Sequence, residues 1–284
     1  MASNKADPQD PRGETPQIFI ALGANIPSAA GPPDVTLKAA LAALGKHDVQ
    51  IRRVSAFRQT DAWPDPSDPP FINAVAGIET DLQLSADGEA MVHHDFALGR
   101  LTLGSRQLAA MTAAGLKEVP FKDTADRMMT LGELCDFVGG RVPLVIELKS
   151  RFDGSLSLAK RAAGVLKSYA GPAALMSFDP APVAALREIA PSLPRGIVAE
   201  RHYEDSEWSD LSDSRKRSLA FLTHAPHTRP HFVAYHVSEL PSPGPWIARN
   251  ILRLPLLAWT VRSEEDRTRA RRWADQMIFE GFRP

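Results

Sequence analysis

The chain has 284 residues, 44% of them hydrophobic and 24% charged, enough apolar material to bury the core of one large α/β domain or two small ones. Its 33 Lys and Arg nearly cancel 34 Asp and Glu, so the formal net charge is −1. That balance gives no basic field for a nucleic acid, and no Lys/Arg-rich run of the kind used by DNA or membrane-surface binders is visible. A single cysteine, Cys135, excludes an internal disulfide and a thiolate metal cluster. Neither an apolar leader nor an uncharged run of roughly 18 apolar residues is present, which predicts a cytoplasmic protein with no integral membrane segment.

Residues 1–16 are polar and proline-rich, too poor in apolar groups to offset the entropy of ordering, and are predicted to be a disordered leader. A strand is predicted over 18–22 with Gly23-Ala24-Asn25 as its turn. A helix follows over 33–47, with Leu37, Ala40, Leu41 and Leu44 on one stripe. The lone glycine of that turn has no Gly-Lys-Ser/Thr after it and cannot build a phosphate cradle. A second strand is predicted over 49–57. Residues 61–70, with four prolines and Trp63, read as a loop, and 71–76 as a strand.

That strand runs into the most informative stretch, residues 77–95. Glu79 and Asp81 are two apart, so on a strand both carboxylates project from one face and together invite a cation. Asp87-Gly88 predicts a tight type I′ hairpin turn, which returns the chain so that residues 92–95, with His93 and His94, run beside the acids. Residues 131–137 read as a helix that takes Cys135 into the core. Apolar strand-like runs then recur at 143–149, 174–178, 196–200, 232–237, 256–261 and 277–279, with helical segments between most of them, which predicts a parallel sheet. Several runs end in polar residues: Glu147 and Lys149, Asp179, Glu200, His236 and Thr260. Functional groups gather at the C-terminal strand ends of a barrel, so this placement favours a barrel over a doubly wound sheet. Glu147 and Lys149 share one strand face, which turns toward the same mouth as Glu79 and Asp81. The histidines at 224, 227, 231 and 236 match no common metal-ligand spacing and are read as surface residues.

From about Gly77 onward these motifs resemble the bacterial glycerophosphodiester phosphodiesterases. The residues that carry the likeness are Glu79-Thr80-Asp81, Asp87-Gly88, the segment from His94-Asp95 through Leu98 and Arg100 to Thr102, Glu147-Leu148-Lys149 and Trp259-Thr260-Val261. The resemblance implies a TIM-barrel-like α/β fold, Mg²⁺ or Ca²⁺ held by Glu79, Asp81 and Glu147, and His94 as one of two acid/base histidines. It further implies that Lys149 faces the phosphate and that Trp259 lines the substrate pocket. Such enzymes open with a strand ending in His-Arg-Gly and a following Glu-Asn-Thr; neither occurs here, so the barrel is expected with its first strand missing or replaced and with no counterpart to the second histidine.

Residues 18–76 instead resemble the first half of 6-hydroxymethyl-7,8-dihydropterin pyrophosphokinase, through Ala21-Leu22-Gly23-Ala24-Asn25, the segment Val54 to Trp63 and the segment Asp68 to Val75. That likeness implies a partial ferredoxin-like α+β segment with Thr60, Phe71 and Asn73 against a pterin, while the kinase's Asp-x-Asp magnesium site is absent. The expected organisation is a leader over 1–16, a pyrophosphokinase-like segment over 17–76 and a phosphodiesterase-like barrel over 77–284. Three readings stand at this point: metal-dependent hydrolysis of a small-molecule glycerophosphodiester, pterin pyrophosphokinase activity, and binding of metal, phosphate or pterin without chemistry.

Overall fold

The computed structural model describes residues 22–24, 27–45, 58–60, 71–74 and 77–280, and the chain divides into two compact units, Met1–Gly77 and Ile78–Pro284. The predicted leader, the strand over 49–57 and the loop around Trp63 lie outside the described residues, as does all but the last residue of the strand over 18–22.

In the first unit, β1 (Leu22–Ala24), β2 (Arg58–Thr60) and β3 (Phe71–Ala74) form an antiparallel sheet in the order β1-β3-β2, accompanied by α1 (Pro33–Gly45). Gly23 and Ala24, expected in a turn, are extended because β3 holds them in register opposite Asn73 and Ile72. Thr60 is paired with Phe71, and Asn73 stands two residues further along the same strand, opposite Arg58. Helix α1 opens on a proline whose missing N–H costs nothing at that position, and it buries Leu37 as its stripe predicts.

The second unit carries the site. Its hairpin, β4 (Ile78–Leu84) and β5 (Ala90–Val92), is followed by α2 (Ala113–Lys117) and α3 (Leu131–Val138). Strand–helix alternation then begins with β6 (Leu144–Leu148), α4 (Ser157–Leu166), β7 (Ala173–Ser177), α5 (Pro180–Ile189) and β8 (Arg195–Ala199). It continues with α6 (Asp213–Ala220), α7 (Ala225–Thr228), β9 (Phe232–His236), α8 (Pro243–Asn250), β10 (Leu256–Val261), α9 (Glu264–Trp273) and β11 (Gln276–Phe279).

The strand order is β11-β10-β9-β8-β7-β6-β4-β5, with every neighbouring pair parallel except the β4–β5 hairpin. Winding therefore proceeds one way around without the reversal of a doubly wound sheet, and among the described residues seven parallel strands make a TIM-barrel-like sheet with no strand between β11 and β4. Capping residues fix where the helices begin. Thr130 and Glu133 close a capping box on α3, which ends at Gly139 in the left-handed region, and Ser263 with Asp266 does the same at the start of α9. Cys135 is buried on α3, and burial pushes its thiol up to about 11, so it is an inert core residue as expected.

The sheet has two buried faces that alternate along each strand. Ile197, Ala199, Val233, Tyr235, Leu256 and Ala258 pack outward with Val183 of α5, Ala248 of α8 and Ala270 of α9. Val145, Met176, Val198, Ala234, Leu257, Trp259 and Ile278 form the inner cluster. Following the inner phase to the C-terminal strand ends places Glu147, Phe178, Glu200, His236, Trp259 and Glu280 around one mouth.

Candidate active site

The centre of the mouth is built by two adjacent strands. Parallel pairing of β4 with β6 sets Asp81 directly opposite Glu147 and Glu79 opposite Val145, so the two acids of β4 and the one of β6 share a face. One carboxylate oxygen from each of Glu79, Asp81 and Glu147 lies within 4.8 Å of the others. Lys149, two residues beyond Glu147, bridges the pair: its Nζ is 2.8 Å from Glu147 Oε1 and 3.0 Å from Asp81 Oδ1.

Three carboxylates against one ammonium leave the cluster short of positive charge. Burial, reinforced by the charges of Asp81 and Glu147, pushes the Glu79 carboxyl up to about 8. Burial also raises Glu147, against the pull of Lys149. For Lys149 burial works the other way, and the two neighbouring carboxylates more than offset it, so its pKa stands above the ordinary lysine value. A divalent cation would relieve this crowding. The donor set is all oxygen, which suits Mg²⁺ or Ca²⁺ better than zinc.

The β4–β5 hairpin delivers His94 to the rim. Ser85 N–H donates to Glu89 and Gly88 N–H to Ser85, and of the turn residues only Gly88 has positive φ, at 82°. The turn is therefore a three-residue loop with Ala86 as the extra residue, not the predicted two-residue type I′, and glycine is needed at one position only. His93 N–H then donates to the Asp81 carbonyl at 3.0 Å, while Gln83 Nε2 donates to the His94 carbonyl at 2.8 Å. His93 itself is buried, and His94 is exposed. Asp95 Oδ1 lies 2.7 Å from His94 Nδ1, and Arg100 donates to both Asp95 oxygens at 2.7 Å. Burial alone would raise the Asp95 carboxyl, but the bonds from Arg100 and His94 outweigh it and hold it below the usual range. With Nδ1 engaged, Nε2 is the His94 nitrogen left for proton transfer.

The far wall of the mouth is aromatic. Trp259 meets Phe178 edge-on at 5.5 Å and His236 at 4.8 Å, and Phe178 continues the cluster to Trp208 at 4.9 Å. Within this wall Glu200 Oε1 is buried with no hydrogen-bond partner, and burial, with the charges of Glu239 and Glu207, pushes the carboxyl up to about 8. Because this carboxyl holds a proton in the folded state that the unfolded state releases from 4.5 upward, it favours folding least at alkaline pH. Stability is expected to fall as pH rises from about 4.5 to 8, and thermal unfolding of Glu200→Gln across that window should show a visibly flatter dependence.

The model of the glycerophosphoryl diester phosphodiesterase family matches residues 63–281. The chain belongs to that family. Solved structures share its fold: a phosphodiesterase from Oleispira antarctica, in complex with the product sn-glycerol-3-phosphate, is 20% identical with a TM-score of 0.57, covering 71% of this chain and 79% of its own. A glycerophosphodiester phosphodiesterase from Thermotoga maritima is 22% identical with a TM-score of 0.53, covering 72% of this chain and 80% of its own. No curated protein sequence matches the chain.

The family match begins inside the predicted proline loop, 14 residues before the expected barrel boundary at 77, and the pyrophosphokinase-like residues 17–62 lie outside it. These matches give the transferase reading no support. Of the residues predicted for the barrel site, Glu79, Asp81, Glu147 and Lys149 are brought together, and His94 sits close enough for its charge to be felt at Glu147. Trp259 stands on the opposite wall.

Two acids of the mouth had no assigned role in the sequence. Glu200 was visible as a polar strand end, and Glu280 as the residue following the last strand, in phase with Ile278. The charge of Glu280 is felt at Glu79 from across the missing strand, and its carboxylate is paired with Arg262 at 2.5 Å. Of the four histidines expected at the surface, His227 and His231 are exposed, and the expectation needs correction at His224 and His236. His224 is half-buried with neither ring nitrogen bonded, and burial lowers it to about 4; His231 Nδ1 accepts from the Arg195 N–H, and His236 joins the aromatic wall. Among the described residues, Glu79, Asp81 and Glu147 are the group with metal-ligand geometry.

Proposed function

We infer that the chain hydrolyses glycerophosphodiesters to glycerol 3-phosphate and an alcohol, using Mg²⁺ or Ca²⁺ held by Glu79, Asp81 and Glu147. The observation that carries this reading is the three-carboxylate cluster, with Lys149 bridging two of its members and a positioned histidine beside it. When bound, the cation supplies charge neutralisation at the phosphodiester oxygens. The chain's own residues supply the rest. The Lys149 ammonium turns from its carboxylates toward a phosphate oxygen, and the aromatic wall with Trp259 takes the organic part of the substrate out of water. As the oxygen of water joins phosphorus and the ester bond on the alcohol side breaks, His94 Nε2 hands a proton to the departing alkoxide, while the proton lost by the attacking water passes to solvent, from which Nε2 is recharged. Asp95, clamped by Arg100, holds the ring at the angle this needs.

The family's second histidine has no counterpart, which predicts a rate about 10²- to 10⁴-fold below an enzyme with both. The test is to incubate the purified chain with glycerophosphocholine and Mg²⁺ or Ca²⁺ and measure glycerol 3-phosphate. Release is expected with the cation and none once chelator removes it. Folded protein that releases nothing at any cation concentration would sink the hydrolase reading and leave a metal-binding protein without turnover.

A further inference from the structure

We propose that the face formed by α6, Phe221 and α8 docks on an anionic lipid surface. Phe221, Trp246, Ile247, Ile251 and Leu252 are large apolar side chains that stand between 46% and 62% exposed on this one side of the barrel. The elements that carry them adjoin. Helix α8 lies so close to the end of α6 that a Cβ on Gly244 would meet the Ala220 carbonyl oxygen at 2.8 Å and Phe221 Cα at 3.3 Å. The turn after α8 folds Ile251 and Leu252 back, their N–H groups both donating to the Ile247 carbonyl at 2.9 and 3.0 Å. An apolar patch of this kind on a folded domain marks a surface that meets something.

Charge says what it meets. Although the whole chain is nearly neutral, residues 213–253 carry six Lys and Arg against two acids. Arg215 is engaged with Asp179 and the Phe152 ring, and Arg249 with Asp275. Arg217 and Arg253 remain exposed, without an acidic partner among the described residues. Arg217 sits one helical turn before Phe221, whose N–H donates to its carbonyl, and Arg253 directly follows Leu252, so a cation flanks each end of the apolar patch. A nucleic acid would leave the five apolar groups in water. A two-fold contact with a second copy would bring the unpaired arginines of one copy toward those of the other across a shared axis. A bilayer interface with anionic headgroups satisfies both parts: the apolar side chains enter the headgroup–acyl boundary and the guanidinium groups meet phosphates.

The test is sedimentation of the full chain with vesicles of phosphatidylcholine alone and of phosphatidylcholine mixed with phosphatidylglycerol. Binding is expected to the anionic vesicles, to weaken with added salt, and to fall about five-fold for each of Arg217→Gln and Arg253→Gln. The double variant Trp246→Ser/Ile251→Ser should lose about ten-fold or more. All four positions are exposed, so circular dichroism and the rate on a water-soluble glycerophosphodiester should be unchanged. Absence of binding to anionic vesicles, or equal binding to neutral ones, would overturn the proposal. A concentration-dependent dimer in light scattering that the Trp246→Ser/Ile251→Ser variant breaks would assign the face to a second copy instead. Vesicle binding is read independently of hydrolysis, so failure of either inference leaves the other standing.

Discussion

Glu147→Gln is expected to lower glycerophosphodiester hydrolysis about 10³-fold or more while leaving the metal-free protein at least as stable as the parent. Both halves of that result come from the same geometry. Glu147 is the most deeply buried of the three acids and stands directly across the strand pair from Asp81, so it is the member whose oxygen would close the cluster over a cation. Loss of cation-mediated charge neutralisation costs several kcal/mol in the transition state, and each 1.36 kcal/mol is a factor of ten. Without a cation, however, the third carboxylate is a burden. Removing its charge takes away one of the causes that raise the Glu79 carboxyl, with burial and Asp81 still acting on it, and Lys149 keeps Asp81 at 3.0 Å as a partner. Thermal unfolding with and without Mg²⁺ or Ca²⁺ separates the two effects, because the parent is stabilised by added cation and the variant is not. A folded variant that keeps its cation-induced shift would remove Glu147 from the metal site, and one that no longer folds would overturn the stability half of the result.

His94→Ala is expected to reduce kcat by about 10²- to 10⁴-fold with the cation-induced thermal shift unchanged, since in the proposed mechanism the histidine moves a proton and holds no metal. The side chain is exposed on a hairpin whose backbone is fixed by Gln83 and by the Asp81 carbonyl, so its removal leaves no cavity. Asp95→Asn provides the companion measurement. In the proposed mechanism Asp95 acts by holding Nδ1 of His94, 2.7 Å away, so its loss should lower kcat with KM unchanged and distort the pH–rate profile. If His94→Ala retains full kcat, the proton is handled elsewhere, and His236 on the aromatic wall is the next residue to replace.

The site residues were legible in the sequence where spacing alone decides a face. Glu79 and Asp81, two apart on β4, and Glu147 and Lys149, two apart on β6, project together because a strand has period two, and this holds whatever the strand pairs with. That Asp81 stands opposite Glu147 is a matter of register between segments more than sixty residues apart, which no local pattern encodes. The same limit hid Glu280, which meets the field of Glu79 only because the sheet curls until its two edges approach each other. At the hairpin, Asp87-Gly88 announced a turn, but the choice between two and three loop residues rested on Ala86, which carries no turn chemistry of its own. The basic, apolar face was illegible for a further reason. Its arginines are scattered from 217 to 253, and its apolar side chains resemble ordinary core residues until the fold leaves them outside.

The Lys149 ammonium brings to Asp81 and Glu147 part of the positive charge that a divalent ion would bring to the whole cluster. An ion held as proposed would therefore have to compete with a resident charge. Binding would then be an exchange, with the displaced ammonium released beside the phosphate that needs a partner. Loading the ion and readying the anion site would be two ends of one movement, joined by a single side chain.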